Sequence, residues 1–177
     1  MNTKLQQLYD QLETERKILL AKVELVSEEK FNHQPVPGKW SLGEVLSHIV
    51  ASEHGSTGYM KKKSLGIDQV DNSGIVESLK LGLLIASQRL PFLKFKAPKI
   101  VLDHTPQFSS AEAIIRQWDN ARADLKIFLE AVEDKNLRKK IYKHPIAGRL
   151  DVVQAITFYR EHIIHHSPQI KRLLNQS

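Results

Sequence analysis

Three histidines fall within five residues near the end of this chain, in the run Glu161-His162-Ile163-Ile164-His165-His166-Ser167-Pro168-Gln169-Ile170. Neutral imidazole is the commonest side-chain nitrogen ligand for transition metals. Two residues four apart on a helix project from one face, about one turn from each other. His162 and His166 have that spacing, so one rigid element can offer two corners of a metal site. A third ligand must come from elsewhere in the chain, and His48, on an earlier amphipathic helix, is the best candidate. The residues alone leave other readings open. Clustered histidines near a C-terminus can be solvated, can interact with the helix dipole, or can sit in a core with both nitrogens satisfied.

Helical phase separates the three. At about 100° per residue, Val152, Ile156, Tyr159, Ile163, Ile170 and Leu173 define one apolar stripe. His166 falls inside it, His162 lies at its border and His165 points well away. A buried imidazole needs partners for its nitrogens, so two inward-facing rings ask for a ligand or a hydrogen-bond network. On the earlier helix, Leu42, Val45, Ile49, Ser52, Ser56 and Met60 read as the core-facing stripe, with His48 on its border and His54 on the opposite side. Three neutral nitrogens and an open position form the coordination set used by catalytic zinc. Zinc or nickel suits such a site best; iron and manganese remain open, because these sites discriminate by geometry and metal supply.

The elements that must position these rings read as helices. Period-3.6 patterning dominates and strand alternation is scarce. A first helix is expected over residues 3–26, burying Leu5, Leu8, Leu12, Ile18, Leu19 and Val23. Capping-box patterns at Ser41-Leu42-Gly43-Glu44, Ser109-Ser110-Ala111-Glu112 and Asp151-Val152-Val153-Gln154 start helices near 41–63, 109–132 and 151–175. Four long amphipathic helices favour an all-α four-helix bundle. A shorter helix is expected within the connection 64–108, over residues 73–89. The connection 134–150 contains His144-Pro145-Ile146-Ala147-Gly148-Arg149. No repeat or low-complexity linker divides the chain, so 1–177 reads as one domain.

Composition removes several chemistries. The chain has 177 residues and no cysteine, which excludes thiolate ligands, a cysteine nucleophile and disulfides. The N-terminal residues are polar and helical rather than secretory, and the longest apolar run, 81–86, is too short for a bilayer. A cytoplasmic protein with no membrane partner is expected. The formal charge of +6 invites a nucleic-acid reading. Its basic groups, Lys61-Lys62-Lys63, Lys94/Lys96/Lys99 and Arg138-Lys139-Lys140, are dispersed and lack an aromatic stacking platform, so nucleic acid is not the expected partner. HExxH, Gly-rich phosphate loops and the nucleophile elbow are all missing. Asp119 and Asp124 suit solvated helix faces, because a diiron site needs Glu-x-x-His repeats that do not occur.

Two stretches, taken together, carry a family resemblance. Pro35-Val36-Pro37-Gly38-Lys39-Trp40-Ser41-Leu42-Gly43-Glu44, followed by His48, resembles the proline-rich lead and helix-two histidine of the DinB/YfiT-like superfamily of metal-dependent enzymes. His144-Pro145, then Gly148-Arg149-Leu150-Asp151 and His162-x-x-His165-His166-x-x-Gln169-Ile170, is similar to that family's ending. The resemblance covers about a third of the chain. It implies an up-and-down-type four-helix bundle binding a divalent ion through His48, His162 and His166, with His165 a neighbouring polar residue. Relatives include thiol transferases and an isomerase dependent on a thiol cofactor, and dimers are common. The expectation is therefore a metal-dependent hydrolase or thiol transferase acting on a small molecule, a thiol among the candidates, as a homodimer. A non-catalytic metal- or small-ligand-binding stress-response bundle is the alternative, and a basic nucleic-acid module the second alternative. No catalytic base is identified; Tyr59 and Glu161 are candidates for proton transfer.

Overall fold

In a computed structural model of the chain, residues 1–90, 106 and 108–175 are described. Their helices are α1 (Thr3–Val23), a short α2 (Glu28–Asn32), α3 (Leu42–Ser64), α4 (Ile75–Gln88), α5 (Ala111–Glu130) and α6 (Val152–Asn175). The four long ones, α1, α3, α5 and α6, form the bundle, and α4 is the extra helix expected in the 64–108 connection. Residues 91–105 and 107 of that connection, with Lys94, Lys96 and Lys99, lie outside the described residues.

Local chemistry starts each helix where the sequence suggests, with one shift. Ser41 and Glu44 exchange both bonds of a capping box: Glu44 N–H donates to Ser41 Oγ at 3.1 Å and Ser41 N–H to the Glu44 carboxylate at 2.7 Å. Asp151 and Gln154 do the same for α6, at 2.8 and 3.0 Å. At α5 the cap is Ser110 rather than Ser109. Ser110 Oγ accepts from Ala113 N–H, Ser109 gives its carbonyl to the Asn32 side chain, and Glu112 pairs with Arg116 instead.

The buried stripe of α1 also differs from the expectation. It runs Leu5, Tyr9, Leu12, Arg16, Leu19, Val23, alternating steps of four and three. Ile18, expected inside, is 52% exposed. On α3 the inward row is rotated as well: Leu46, Ile49, Val50, Glu53, Thr57 and Met60 are buried, whereas Ser52 and Ser56 are only half-buried. Gly43 lets α2 close on the start of α3, because a methyl there would lie 2.5 Å from the buried Phe31 ring.

Helix directions follow from cross-helix bonds. Asn32 at the end of α2 meets Ser109 just before α5, and Glu53 and Lys61 of α3 reach Trp118 and Asp124 of α5 in the same order. These two helices are therefore parallel. α1 and α6 run together in the opposite sense, with Glu15 bonded to Arg160 and Asn2 at the far end beside Asp134. The order is up, down, down, up rather than up-and-down, so the chain between α3 and α5 must cross the length of the bundle. α4 makes that return journey alongside α6, with Ser78 at Gln154 and Arg89 at Glu161.

The connection before α6 contains a small hairpin that helical periodicity does not reveal. β1 (Tyr142–His144) pairs antiparallel with β2 (Gly148–Leu150). Gly148 closes the turn at φ +81°, a region glycine enters without steric cost. The basic run Arg138-Lys139-Lys140 is used internally: Arg138 donates to the Ser73 carbonyl, Lys139 to the Val70 carbonyl, and Lys140 faces Asp71 and Glu77.

A buried charge network crosses the bundle core. Glu53 accepts from Trp118 Nε1 at 2.7 Å and from Arg122 Nη2 at 2.9 Å; Arg122 also faces Glu13 at 3.2 Å, and Arg16 ties Glu13 to Asp119. Burial pushes the Glu53 carboxyl up from its ordinary range, and Arg122 and the Trp118 N–H oppose that shift. Removing the cation alone leaves this carboxylate buried with the indole as its one strong donor. Arg122→Met should destabilise the protein by about 3–5 kcal/mol in denaturant titrations at pH 7. The double variant Glu53→Leu/Arg122→Met should recover most of that loss. Equal stabilities for wild type and Arg122→Met would refute the assignment.

Candidate metal centre

His48 lies in the second turn of α3, and His162 and His166 lie one turn apart on α6. The three rings meet inside the bundle at the end where α3 and α5 begin. His162 Nε2 is 3.2 Å from His48 Nε2 and 3.2 Å from His166 Nε2. Ring centroids are 4.8–5.2 Å apart with steep interplanar angles, so edges rather than faces converge. All three residues are more than 90% buried. The cluster is the one metal-capable group of three found among the described residues.

Each ring is fixed by its surroundings. Phe158, one turn before His162, stacks on it at 5.3 Å and 19°. Trp40, just ahead of the α3 cap, packs against His48 at 5.2 Å. His166 Nδ1 lies 3.1 Å from Gln169 Oε1. That oxygen only accepts, so a hydrogen bond here requires the hydrogen on Nδ1, the tautomer in which the Nε2 of neutral His166 presents a lone pair. His48 Nδ1 and His162 Nδ1 are buried with no hydrogen-bond partner among the described residues.

Burial holds the rings neutral. The His48 pKa is pushed down to about 4 and that of His166 to about 3, in each case chiefly by desolvation and then by neighbouring histidines. His162 falls well below its ordinary value for the same reasons. Three neutral imidazoles with converging Nε2 atoms conflict with one another unless hydrogens or a cation lie between them. With His166 Nε2 committed as a lone pair, His162 Nε2 can donate one hydrogen to one neighbour and not to both. For tetrahedral zinc with bonds of 2.0–2.1 Å, ligand nitrogens sit about 3.3 Å apart, close to the 3.2 Å seen twice here. The donor set is compatible with a divalent metal ion.

The other candidates fall elsewhere. His165 Nδ1 donates to the Gln88 carbonyl at the end of α4, 3.1 Å away, with its ring beside His166 but turned to the flank of α6. Glu161 is buried yet occupied: Arg89 donates to it at 2.6 Å and Arg160 at 3.2 Å. Tyr59 is half-buried, and the helical rise sets it roughly 16 Å along the axis from His48. His54 is exposed, as its phase indicates. His144, at the end of β1, packs on Phe158 at 4.3 Å. Its Nδ1 accepts the N–H groups of Ile146 and Ala147, and burial lowers its pKa to about 4. Trp40, Phe158 and Gln169 were not marked as site residues by periodicity; the i, i+3 spacing of Gln169 from His166 was the available signal.

A helical bundle with three inward histidines on its second and last long helices defines a recognisable class. The model of the DinB superfamily matches residues 11–170, and the chain belongs to that superfamily. Over 148 residues it is 27% identical to the uncharacterized protein YuaE of Bacillus subtilis (strain 168), a match covering 84% of this chain and 85% of the relative. No solved structure matches it.

Depressed histidine pKa values make stability depend on pH in a defined direction. In the unfolded chain these side chains titrate near 6.5, whereas in the fold His48 and His144 titrate near 4 and His166 near 3. Between those limits the unfolded state binds more protons, so stability is complete above pH 6.5 and is lost as pH falls toward 4. The melting temperature of the metal-free protein should decline steadily below pH 6.5. His144→Asn, whose side-chain oxygen can still accept the turn N–H groups, should flatten part of that decline. A constant Tm between pH 7 and 5 would contradict the burial argument.

Proposed function

We propose that the protein is a metal-dependent enzyme, a hydrolase or thiol transferase, in which His48, His162 and His166 hold a divalent ion. The observation that carries this reading is the convergence of three neutral, buried Nε2 atoms on one point. When bound, the ion supplies a Lewis acid that lowers the pKa of a water or thiol in its remaining position. The chain's own contribution is orientation and exclusion of water. Gln169 lies against His166 Nδ1, and the rings of Phe158 and Trp40 back His162 and His48. The groups acting most strongly on the three imidazoles are other histidines and Gln169, not carboxylates. Neutral ligands leave the charge of a bound cation to be balanced by what binds there. That supports an anionic group, such as a thiolate or carboxylate, on the substrate.

Within the 64–108 connection, the end of α4 forms one wall of the substrate space in this proposal. Gln88 and Arg89 end α4 beside His165 and Glu161, level with the histidines, and His144 borders Phe158 from the hairpin side. Irregular crossover segments are common carriers of specificity. Self-association as a homodimer is also proposed, supported by the exposed apolar strip Ile75, Val76, Leu79 and Leu83 on α4. Analytical ultracentrifugation should give a dimer that Leu79→Asp/Leu83→Asp converts to monomer. A wild-type monomer at micromolar concentration would end that reading. A nucleic-acid role is weakened by the internal use of Arg138, Lys139 and Lys140. No described helix is long and apolar enough to cross a membrane.

Elemental analysis of purified protein, followed by assays against hydrolase and thiol-adduct panels, tests the function. About one divalent ion per chain is expected, retained in His165→Ala and lost in His48→Ala, His162→Ala and His166→Ala. Equal loss from His165→Ala and His166→Ala would overturn the ligand assignment. Stoichiometric metal without turnover on either panel would favour the non-catalytic, ligand-binding alternative.

A further inference from the structure

The three rings are not held alike. Packing against Phe158 and Trp40 sets the ring planes of His162 and His48, but an apolar contact does not choose which nitrogen carries the hydrogen. Both rings have an Nδ1 with no partner among the described residues. His166 differs, because its Nδ1 meets an amide oxygen at 3.1 Å.

We propose that Gln169 is a positioning residue that locks His166 in the Nδ1–H form, so that its Nε2 lone pair is preset toward His48 and His162 before any ion arrives. The inference rests on the three-histidine reading of the site. The amide must present its oxygen. Turned over, its NH2 group would donate into Nδ1 and force the hydrogen onto Nε2, where it would point at His162 Nε2, 3.2 Å away, and block coordination. Backbone geometry supports the arrangement. Gln169 is three residues after His166 on the same helix, so the two side chains share a face. Pro168 lies between them and withholds an N–H from the Ile164 carbonyl, while Ser167 Oγ bonds the Ile163 carbonyl at 2.9 Å. Gln169 is half-buried, at a position where its side chain can be exchanged without opening the core. His162 lacks such a device. In the metal-free state it can donate from Nε2 to His166, and it must move that hydrogen to Nδ1 before it can coordinate. His166 is thus the fixed member of the set.

The test uses full-length protein in three forms: wild type, Gln169→Leu, which keeps the length and loses the acceptor, and Gln169→Glu, which can only accept. Imidazole 15N shifts of the metal-free proteins report the tautomer, and competition titration with Zn2+ reports affinity. Wild type and Gln169→Glu should show His166 with a protonated Nδ1 and an unprotonated Nε2. Gln169→Leu should show mixed or reversed tautomers and bind Zn2+ about 10- to 100-fold more weakly, with Tm nearly unchanged. An unchanged His166 tautomer in Gln169→Leu would overturn the proposal, as would Gln169→Glu behaving like Gln169→Leu. Should Gln169→Leu fail to fold, Gln169→Met replaces it under the same criteria. The tautomer measurement needs no metal, so absence of Zn2+ binding in wild type would count against the metal site itself while the 15N shifts still decide the role of Gln169.

Discussion

The carboxylate of Glu53 sets the height at which the helices of this bundle meet. It takes hydrogen bonds from Trp118 and Arg122 on α5, and Arg122 continues to Glu13 on α1. The backbone of the same residue anchors α6, because Tyr159 Oη donates to the Glu53 carbonyl and also lies beside Thr57. Apolar side chains tolerate sliding, since one leucine packs much like another. A buried charge does not, because an offset of one turn strands it without its partner at several kcal/mol. His48 precedes Glu53 by five residues and His162 follows Tyr159 by three. The charge thus pins α3 against α5, and the Tyr159 bond to the Glu53 carbonyl joins α6 at the same level, which brings His162 to the height of His48.

Topology then decides what surrounds the histidines. Because α3 and α5 are parallel, the chain between them must travel back along the bundle, and α4 does so against the outer side of α6. The hairpin covers a further side through Tyr142 and His144. α6 is therefore buried over far more than one stripe, which explains why Gln154, Phe158 and Glu161 are buried alongside the inward row. Two segments that are not bundle helices thus flank α6 beside the cluster, α4 through His165 and Glu161 and the hairpin through Phe158. Those segments vary most easily in length and composition without disturbing the core, so the elements that set the ring positions are distinct from those most open to change.

Much of this was legible from residues alone, for identifiable reasons. Helix starts were readable where side chain and backbone bond locally, as at Ser41/Glu44 and Asp151/Gln154. The one-residue shift to Ser110 arises because adjacent serines offer the same chemistry, and Asn32, distant in sequence, claims the carbonyl of Ser109. Ile18 was misplaced because apolar character alone cannot tell that Arg16 is inward, and Arg16 is inward only because Glu13 and Asp119 neutralise it. Glu53 escaped notice for the same reason, and its burial rotated the apparent inward row of α3. The hairpin strands are three residues each, too short for a period-two signal. For the site, the phases of His162 and His166 and the border position of His48 were within reach. Phe158 is four residues before His162 and shares its face by the same spacing rule, whereas Trp40, ahead of the α3 cap, meets His48 through packing that no helical period shows.

The cluster is also a place in the core where polar groups meet without full pairing. Buried polar groups in a settled core find partners, yet His48 and His162 each keep an Nδ1 with no partner among the described residues. His162 Nε2 faces two nitrogens it cannot satisfy together. Leucine or phenylalanine at these three positions would fill the same volume without that conflict. Ser47 Oγ, Gln88 Oε1 and nitrogens of Arg122 and Arg160 also lack hydrogen-bond partners among the described residues, so what sets the cluster apart is the meeting of three imidazole edges at one place. The conflict also has a chemical direction, because lone pairs converging in a neutral, aromatic-walled space are relieved by a cation or by a donor that places hydrogens among them.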